Sequence, residues 1–490
     1  METTRLKTAA FAITSLAIGL SQGLNAQSTG SSGYLYGTTM GGGKYGNGTV
    51  FSFNLVTRQE TAVINFDSAN GIEPLGNLTM DNSTGLLYGA TLKGGTYNDG
   101  VLFSFDPATG KDSNVAVFDG LNGKWPVQGS MTDLSGVIYG MTGLGGINGF
   151  GIIYKYCPST GTYTTLLNFD SANDKEYGPM GSNLALYPGN GMLYGMTYSG
   201  GKNKMGAIFS FNPATGRDSV VVSLDSLKGF QVMEGTLTLT NGLFYGVTSG
   251  GGLYDDGVLF SFSPVTGNYN VLVNFNSANG SNPYGGLLND SINGLLYGMT
   301  YQGGTEGYGV LYSFNPVGAI QQVLINFNDT ANGSIPTGNL TLGPNGKLYG
   351  MTLGDVTGNG VLFCYDPVSA TDSVLFTFNY TGGSSPYGSL TFVGNPGAVN
   401  PVITTVNTVS TENNVAVYPN PFSMNTNIVM NDAGIHYIEV DDIAGRKLNW
   451  VRFSGNQYSL SRTGLANGIY IVKLYNEQQQ YVSAAKIEVN

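Results

Sequence analysis

Carboxylates are the first candidates for chemistry in this sequence, because hydrolysis of a glycosidic bond needs only two of them. Asp67, Asp119, Asp170 and Asp225 each follow a strand-ending Phe or Leu, and Asn276, Asn328 and Asn379 take the same place later. Such an Asp or Asn is what a turn needs, since its side chain bonds its own backbone. A catalytic pair should stand apart from a repeat, so the turn reading is preferred. Calcium would want an Asp-x-Asp-x-Asp-Gly spacing, which is absent, and no metal site is expected. The single histidine, His436, has no Ser or Cys motif to serve. Cys157 and Cys364 sit at different places of their repeats and should pack as small apolar groups rather than pair. Thr-x-x-Gly-Gly, at Thr91–Gly95 and Thr197–Gly201, lies between strands and opens no helix that could hold a phosphate. No cofactor is expected.

Aromatic side chains that escape the repeat offer a different chemistry, stacking on sugar rings. They are Trp125, beside Lys124, then Tyr177, Tyr284 and Tyr387 near Pro-x-Gly sequences, and Tyr198 and Tyr301 after a second recurring strand. Tyr97, Tyr254 and Tyr308 should stand on the same loop face. The plainer alternative is that these rings only cover the ends of sheets.

The elements that would carry them repeat along the chain. Leu/Ile/Phe-Tyr-Gly-x-Thr recurs at Tyr36, Tyr88, Tyr139, Tyr194, Tyr245, Tyr297 and Tyr349, with spacings of 52, 51, 55, 51, 52 and 52 residues. A second strand follows each, for example Val101–Phe105, and a third ends at Phe66, Phe118, Phe169, Leu224, Phe275, Phe327 and Phe378. A fourth carries Pro-x-Gly-x-Leu or a variant. Four short strands about every 50 residues predict an all-β, seven-bladed β-propeller over residues 33–394. The first copy lacks the fourth strand and the last ends with a spare one, Pro386–Phe392. Pairing of the two ends should therefore close the ring and remove exposed edges. Gly at one place in the Pro-x-Gly strand puts that strand innermost, where seven strands converge.

Composition agrees. Gly is 75 of 490 residues and charged residues are 10%, against about 25% in an ordinary domain. The formal charge of −11 argues against nucleic acid, whose phosphates need a basic patch. Residues 1–26 read as a secretory signal: Arg5 and Lys7, then the apolar Phe11–Leu20, then Leu24-Asn25-Ala26 before a cut. No later segment is long and apolar enough to form a spanning helix. A Pro-, Asn- and Thr-rich linker, 395–414, leads to alternating strands at 415–490, read as a small C-terminal β-sandwich.

That C-terminal segment resembles the type A sorting domain of type IX (Por) secretion substrates. The motif residues are Tyr418-Pro419-Asn420-Pro421, then Asp442, Gly445 and Arg446, then Leu465, Gly468 and Tyr470. The resemblance implies a Gram-negative bacterium, the type IX machinery and its sorting protease as partners, and an outer-membrane surface or secreted location. The repeats resemble the GloVer family, through runs such as Gly100–Phe103 and Gly257–Phe260. That likeness supports a propeller and implies no activity. The expected function is a monomeric, non-enzymatic module binding glycan or surface protein. The alternatives are a carbohydrate-active hydrolase or lyase, and a surface-layer scaffold.

Overall fold

The computed structural model describes residues 33–394 except 127–130, 172–175, 180, 234 and 292. Of the C-terminal part it describes 415–418, 425–430, 434–442, 447–455, 457–461, 465, 468–477 and 481–489. Residues 1–26 and the linker 395–414 lie outside the described residues. The chain divides into two compact units, Met1–Ala398 and Val399–Asn490.

Among the described residues the first unit holds seven antiparallel sheets of four or five strands, numbered 1–7 here in chain order, and a separate pairing of Glu176–Tyr177 with Ser199–Gly200 beside sheet 4. Sheet 7 is typical, in the order Ser334–Leu342 (here the inner strand, since it meets its counterparts in neighbouring sheets), Leu348–Gly354, Val361–Asp366 and Thr371–Thr377. Sheet 1 draws its inner strand, Ser384–Gly394, from the far end of the repeats. That strand pairs with Gly33–Gly41, in a register running from Gly33 opposite Gly394 to Gly41 opposite Ser384. The strand order within each sheet matches the sequence expectation. Continuity of the inner strand does not. Among the described residues it is split in sheets 2 and 6, as at Ile72–Pro74 and Thr79–Met80, is described as two short pieces in sheets 3 and 4, and is short in sheet 5. Pairing lapses after the Pro, around the left-handed Gly76 and Gly285, whereas sheets 1 and 7 take up the same Pro and left-handed Gly as a register shift within one continuous strand.

Packing explains the recurring Tyr-Gly-x-Thr. Each of its glycines lies opposite an aromatic of the third strand, as Gly246 opposite Phe260. A Cβ on Gly246 would come within 2.6 Å of Phe260 Cζ, so the ring lies over the bare backbone. The threonine two residues on is buried in all seven copies. Thr91 Oγ1 accepts the Val101 N–H at 3.1 Å and donates to the Lys93 carbonyl at 2.9 Å. Thr248 repeats both bonds with Val258 and Gly250. Leaving either backbone group unpaired would cost about 1–3 kcal/mol, so a hydroxyl is required there.

Alternate residues of the third strand face opposite neighbours. In sheet 1, Val50 packs with Leu87 and Phe103 of sheet 2, while Phe51 and Phe53 pack with Leu362 and Phe378 of sheet 7. Five further clusters join sheets 2 to 3, 3 to 4, 4 to 5, 5 to 6 and 6 to 7. A threonine of the inner strand stitches several of these interfaces. Thr79 donates to Met131 O at 2.7 Å, Thr341 to Leu390 O at 2.5 Å, and Thr391 to Leu78 O at 2.5 Å. Inner strands also meet through glycines: a Cβ on Gly338 would collide with the Gly388 carbonyl, and one on Gly388 with Gly76.

The second unit has a three-stranded sheet, Val415–Tyr418, Asn425–Met430 and Gln457–Ser461, and a four-stranded one. The latter runs Lys447–Ser454, Ile435–Asp442, Gly468–Tyr475 and Tyr481–Val489. Ile428 and Leu460 of the first sheet share one core with Ile438, Val440, Val472 and Ile487 of the second. Among the described residues no helix is long and apolar enough to cross a membrane.

Candidate ligand-binding face

Two sets of loops meet on one face of the first unit. In sheets 1, 2, 3, 5 and 6 the Gly-Gly loop after the second strand bonds the crossover that enters the same sheet, as Gly95 N to Ser68 O, Gly146 N to Gly120 O and Gly43 N to Tyr380 O. In every sheet but the fifth, the start of the inner strand bonds the corresponding loop of the preceding sheet, as Trp125 N to Asp99 O and Ser385 N to Asn359 O. This face therefore carries the inner-strand entries and the loop tips together. Tyr45, Tyr97, Tyr254, Tyr308 and Tyr380 stand on it, each at least 41% exposed.

Three of the six candidate aromatics converge, Tyr284 and Tyr301 half-buried and Tyr387 buried at 8% exposure. The Tyr284 and Tyr387 hydroxyls are 3.0 Å apart although the residues belong to sheets 6 and 1. Tyr301 lies against Tyr284, ring centroids 5.4 Å apart. The other three are elsewhere on the face. Trp125 stands beside Lys124, whose Nζ is 5.9 Å from the indole and 2.8 Å from Asp99. Tyr177 packs on Phe150 at 5.1 Å, and Tyr198 donates its N–H to Gly178 O. The hydroxyl pair between sheets 6 and 1 was not legible in the sequence, because it spans two repeats.

The repeated carboxylates serve turns. Asp67 Oδ1 accepts the N–H groups of Ala69 and Asn70, Asp119 that of Asn122, and Asp225 those of Leu227 and Lys228. Asn276, Asn328 and Asn379 do the same in later copies. The turn after Asp170 runs into residues outside the described set. Among the described residues no three His, Cys, Asp or Glu side chains gather as metal ligands. Cys157 and Cys364 are both free thiols, the latter pushed up in pKa by burial. Among the described residues, a cavity of about 10 Å³ lies beside Ala90 and Ser182, and an open groove of about 550 Å³ between Lys202 and Tyr269. Neither is lined by the tyrosine cluster.

One carboxylate breaks the pattern of its repeat. On the outer strand, opposite the last aromatic of the third, Tyr163, Tyr269 and Gln321 donate to carbonyls of the preceding crossover, at 2.7, 2.6 and 2.8 Å. Glu60 holds that position in sheet 1, against Gly382 of the corresponding crossover. Its Oε1 is buried without a partner, and burial pushes its pKa up from 4.5 to about 7. The folded state then keeps a proton that the unfolded chain releases, so stability falls as pH rises from about 4.5 through 7. Glu60→Gln, which copies Gln321, should be nearly neutral at pH 5 and stabilising by about 1–2 kcal/mol at pH 8, after allowance for partial exposure. Urea melts at both pH values test this, and equal shifts would refute it.

Of the sorting motif, Tyr418 ends one strand, Asp442 ends another and Gly468 opens a third. Tyr470 is buried in the core of the second unit, with Leu465 packed against it. Pro419, Asn420, Pro421, Gly445 and Arg446 lie outside the described residues.

Comparison with known proteins follows the two units. No curated protein matches the chain in sequence. Among solved structures, a hypothetical selenium-binding protein from Sulfolobus tokodaii is 8% identical, with a TM-score of 0.51, over 74% of this chain and 94% of its own. A candidate 6-phosphogluconolactonase from Bacteroides uniformis is 14% identical, with a TM-score of 0.49, over 73% of this chain and 99% of its own. The first likeness is one of fold alone. Residues 416–489 match the secretion system C-terminal sorting domain, which marks the chain for type IX export to the cell surface or beyond. Residues 7–188 and 179–418 match the Gloeobacter/Verrucomicrobia repeat, and the chain belongs to that family.

Proposed function

We propose that the repeat unit is a closed, seven-bladed β-propeller that acts on the cell surface or in the medium as a non-enzymatic binding module. Seven sheets, seven inter-sheet clusters and the pairing of Gly33–Gly41 with Ser384–Gly394 support the ring. The single observation that carries the binding role is the pairing of the half-buried Tyr284 and Tyr301 rings on one face, held from below by the buried Tyr387. Aromatic rings with hydroxyls at their edges suit a glycan or the polar surface of a protein. The commitment of the repeated Asp side chains to turns weighs against a hydrolase or lyase, which needs two carboxylates beside one bond. The signal segment, the sorting protease and a monomeric state belong to the same reading.

A glycan array and pull-downs of surface proteins with the exported chain test it. Tyr284→Ala and Tyr301→Ala should each weaken capture about tenfold, equivalent to about 1.4 kcal/mol. Capture of nothing by the parent chain would leave only a structural role, and release of reducing ends or unsaturated sugars would make it an enzyme.

A further inference from the structure

The residue before the inner-strand proline, or before its counterpart Val232 in sheet 5, has left-handed backbone in every sheet. Glu73, Trp125, Gln231, Ile335 and Ser385 have φ of 56, 53, 54, 60 and 53°, and Gly178 and Asn282 have 63 and 52°. In six of the seven the N–H makes the clip to the preceding sheet, as Glu73 to Asn47 O and Ile335 to Tyr308 O, while the Gln231 carbonyl accepts the Ser249 N–H of its own sheet. The clip needs the backbone, not the side chain. Gly and Asn tolerate this region, whereas a β-branched Ile or a bulky Trp is strained in it. Were the clip the whole purpose, Gly or Asn would suit all seven places. Instead five of the seven carry other residues, and no two of the seven side chains are alike.

Constant backbone with variable side chains is the arrangement of a recognition surface. Tyr284 and Tyr387 follow two residues behind Asn282 and Ser385, which ties the variable positions to the tyrosine cluster. Formal charge beside them is neutralised locally: Glu73 pairs with Lys93 at 3.0 Å, and Lys124 with Asp99 at 2.8 Å. What remains is an indole, an amide, hydroxyls and tyrosine rings, which match apolar sugar faces and uncharged hydroxyls.

We infer that the residues before the inner-strand prolines form a specificity ring for a neutral oligosaccharide. This rests on the binding-face reading above and deepens it. Retained strain predicts a trade: relieving it should leave the fold at least as stable while binding is lost. The test uses the exported full chain, with hexasaccharides of β-1,4-linked glucose, mannose and xylose as probes in titration calorimetry. Trp125→Asn and Ile335→Asn copy Asn282, so the fold is retained and Tm should hold or rise by about 1–2 °C. Affinity for whichever probe the parent chain binds should fall at least tenfold in Trp125→Asn and shift in rank order among probes in Ile335→Asn. Unchanged affinity and rank in variants of undiminished Tm would overturn the ring. If Tyr97→Ala or Tyr254→Ala alone abolished binding, the face would stand and the ring would fall. A parent chain that binds none of the probes but captures a surface protein would likewise overturn the ring and leave the face.

Discussion

Removing Ser384–Gly394 from the full chain should abolish the cooperative melting of the repeat unit. Sheet 1 would lose its inner strand and the ladder from Gly33 to Gly41. Leu390, 4% exposed, would leave the cluster it shares with Leu35, Phe51, Tyr349 and Phe378, opening the junction of sheets 7 and 1. The stitches from Thr341 to Leu390 and from Thr391 to Leu78 would go with it. Each buried Leu or aromatic contributes about 2 kcal/mol and each bond about 1 kcal/mol. The sum exceeds about 5 kcal/mol, against a whole-domain stability of about 5–15 kcal/mol. Scanning calorimetry reads the result, and a melt within about 2 °C of the parent would rule out a closed ring. A companion variant works in the opposite direction. Tyr34 faces Val393 across the seam, so Tyr34→Cys with Val393→Cys should cross-link and raise Tm under oxidising conditions. A loop spanning nearly the whole unit gives up to about 5 kcal/mol of stabilisation.

Deleting Val415–Asn490 should remove the protein from the cell surface almost completely and leave it in the periplasm. The deletion takes away both sheets of the second unit, including the core around Ile438, Val472 and Ile487 on which the sorting motif is mounted. The repeat unit has its own inter-sheet clusters and should keep its melting transition, which separates lost export from lost folding. Protease shaving of intact cells against fractionated periplasm measures the outcome. Surface protein at even a tenth of the parent level would contradict an export route through this domain.

Glu60 and Thr248 show how far a repeated sequence can be read, and where reading stops. Thr248 belongs to a motif found seven times, so its structural importance is visible from recurrence before its two bonds are known. Glu60 looks like any exposed charge at the end of a turn. Only alignment of its place with Tyr163, Tyr269 and Gln321 reveals a carboxyl standing where a donor belongs. The same holds for the interrupted inner strands: sheets 1 and 7 keep the same Pro and left-handed residues within one continuous strand, so no local pattern marks where pairing lapses.

By itself the sequence determined the repeat length, the order of strands within a sheet, the use of Asp and Asn as turn formers, and the sorting domain. These depend on neighbours in the chain, where spacing and residue type act directly through turn geometry and period-two burial. Tertiary structure alone decided which residues meet across repeats: Tyr284 with Tyr387, Glu60 with Gly382, and the left-handed clips from sheet to sheet. Those contacts join residues far apart in the chain. Their geometry is set by the angle at which whole sheets pack, a quantity no local pattern encodes.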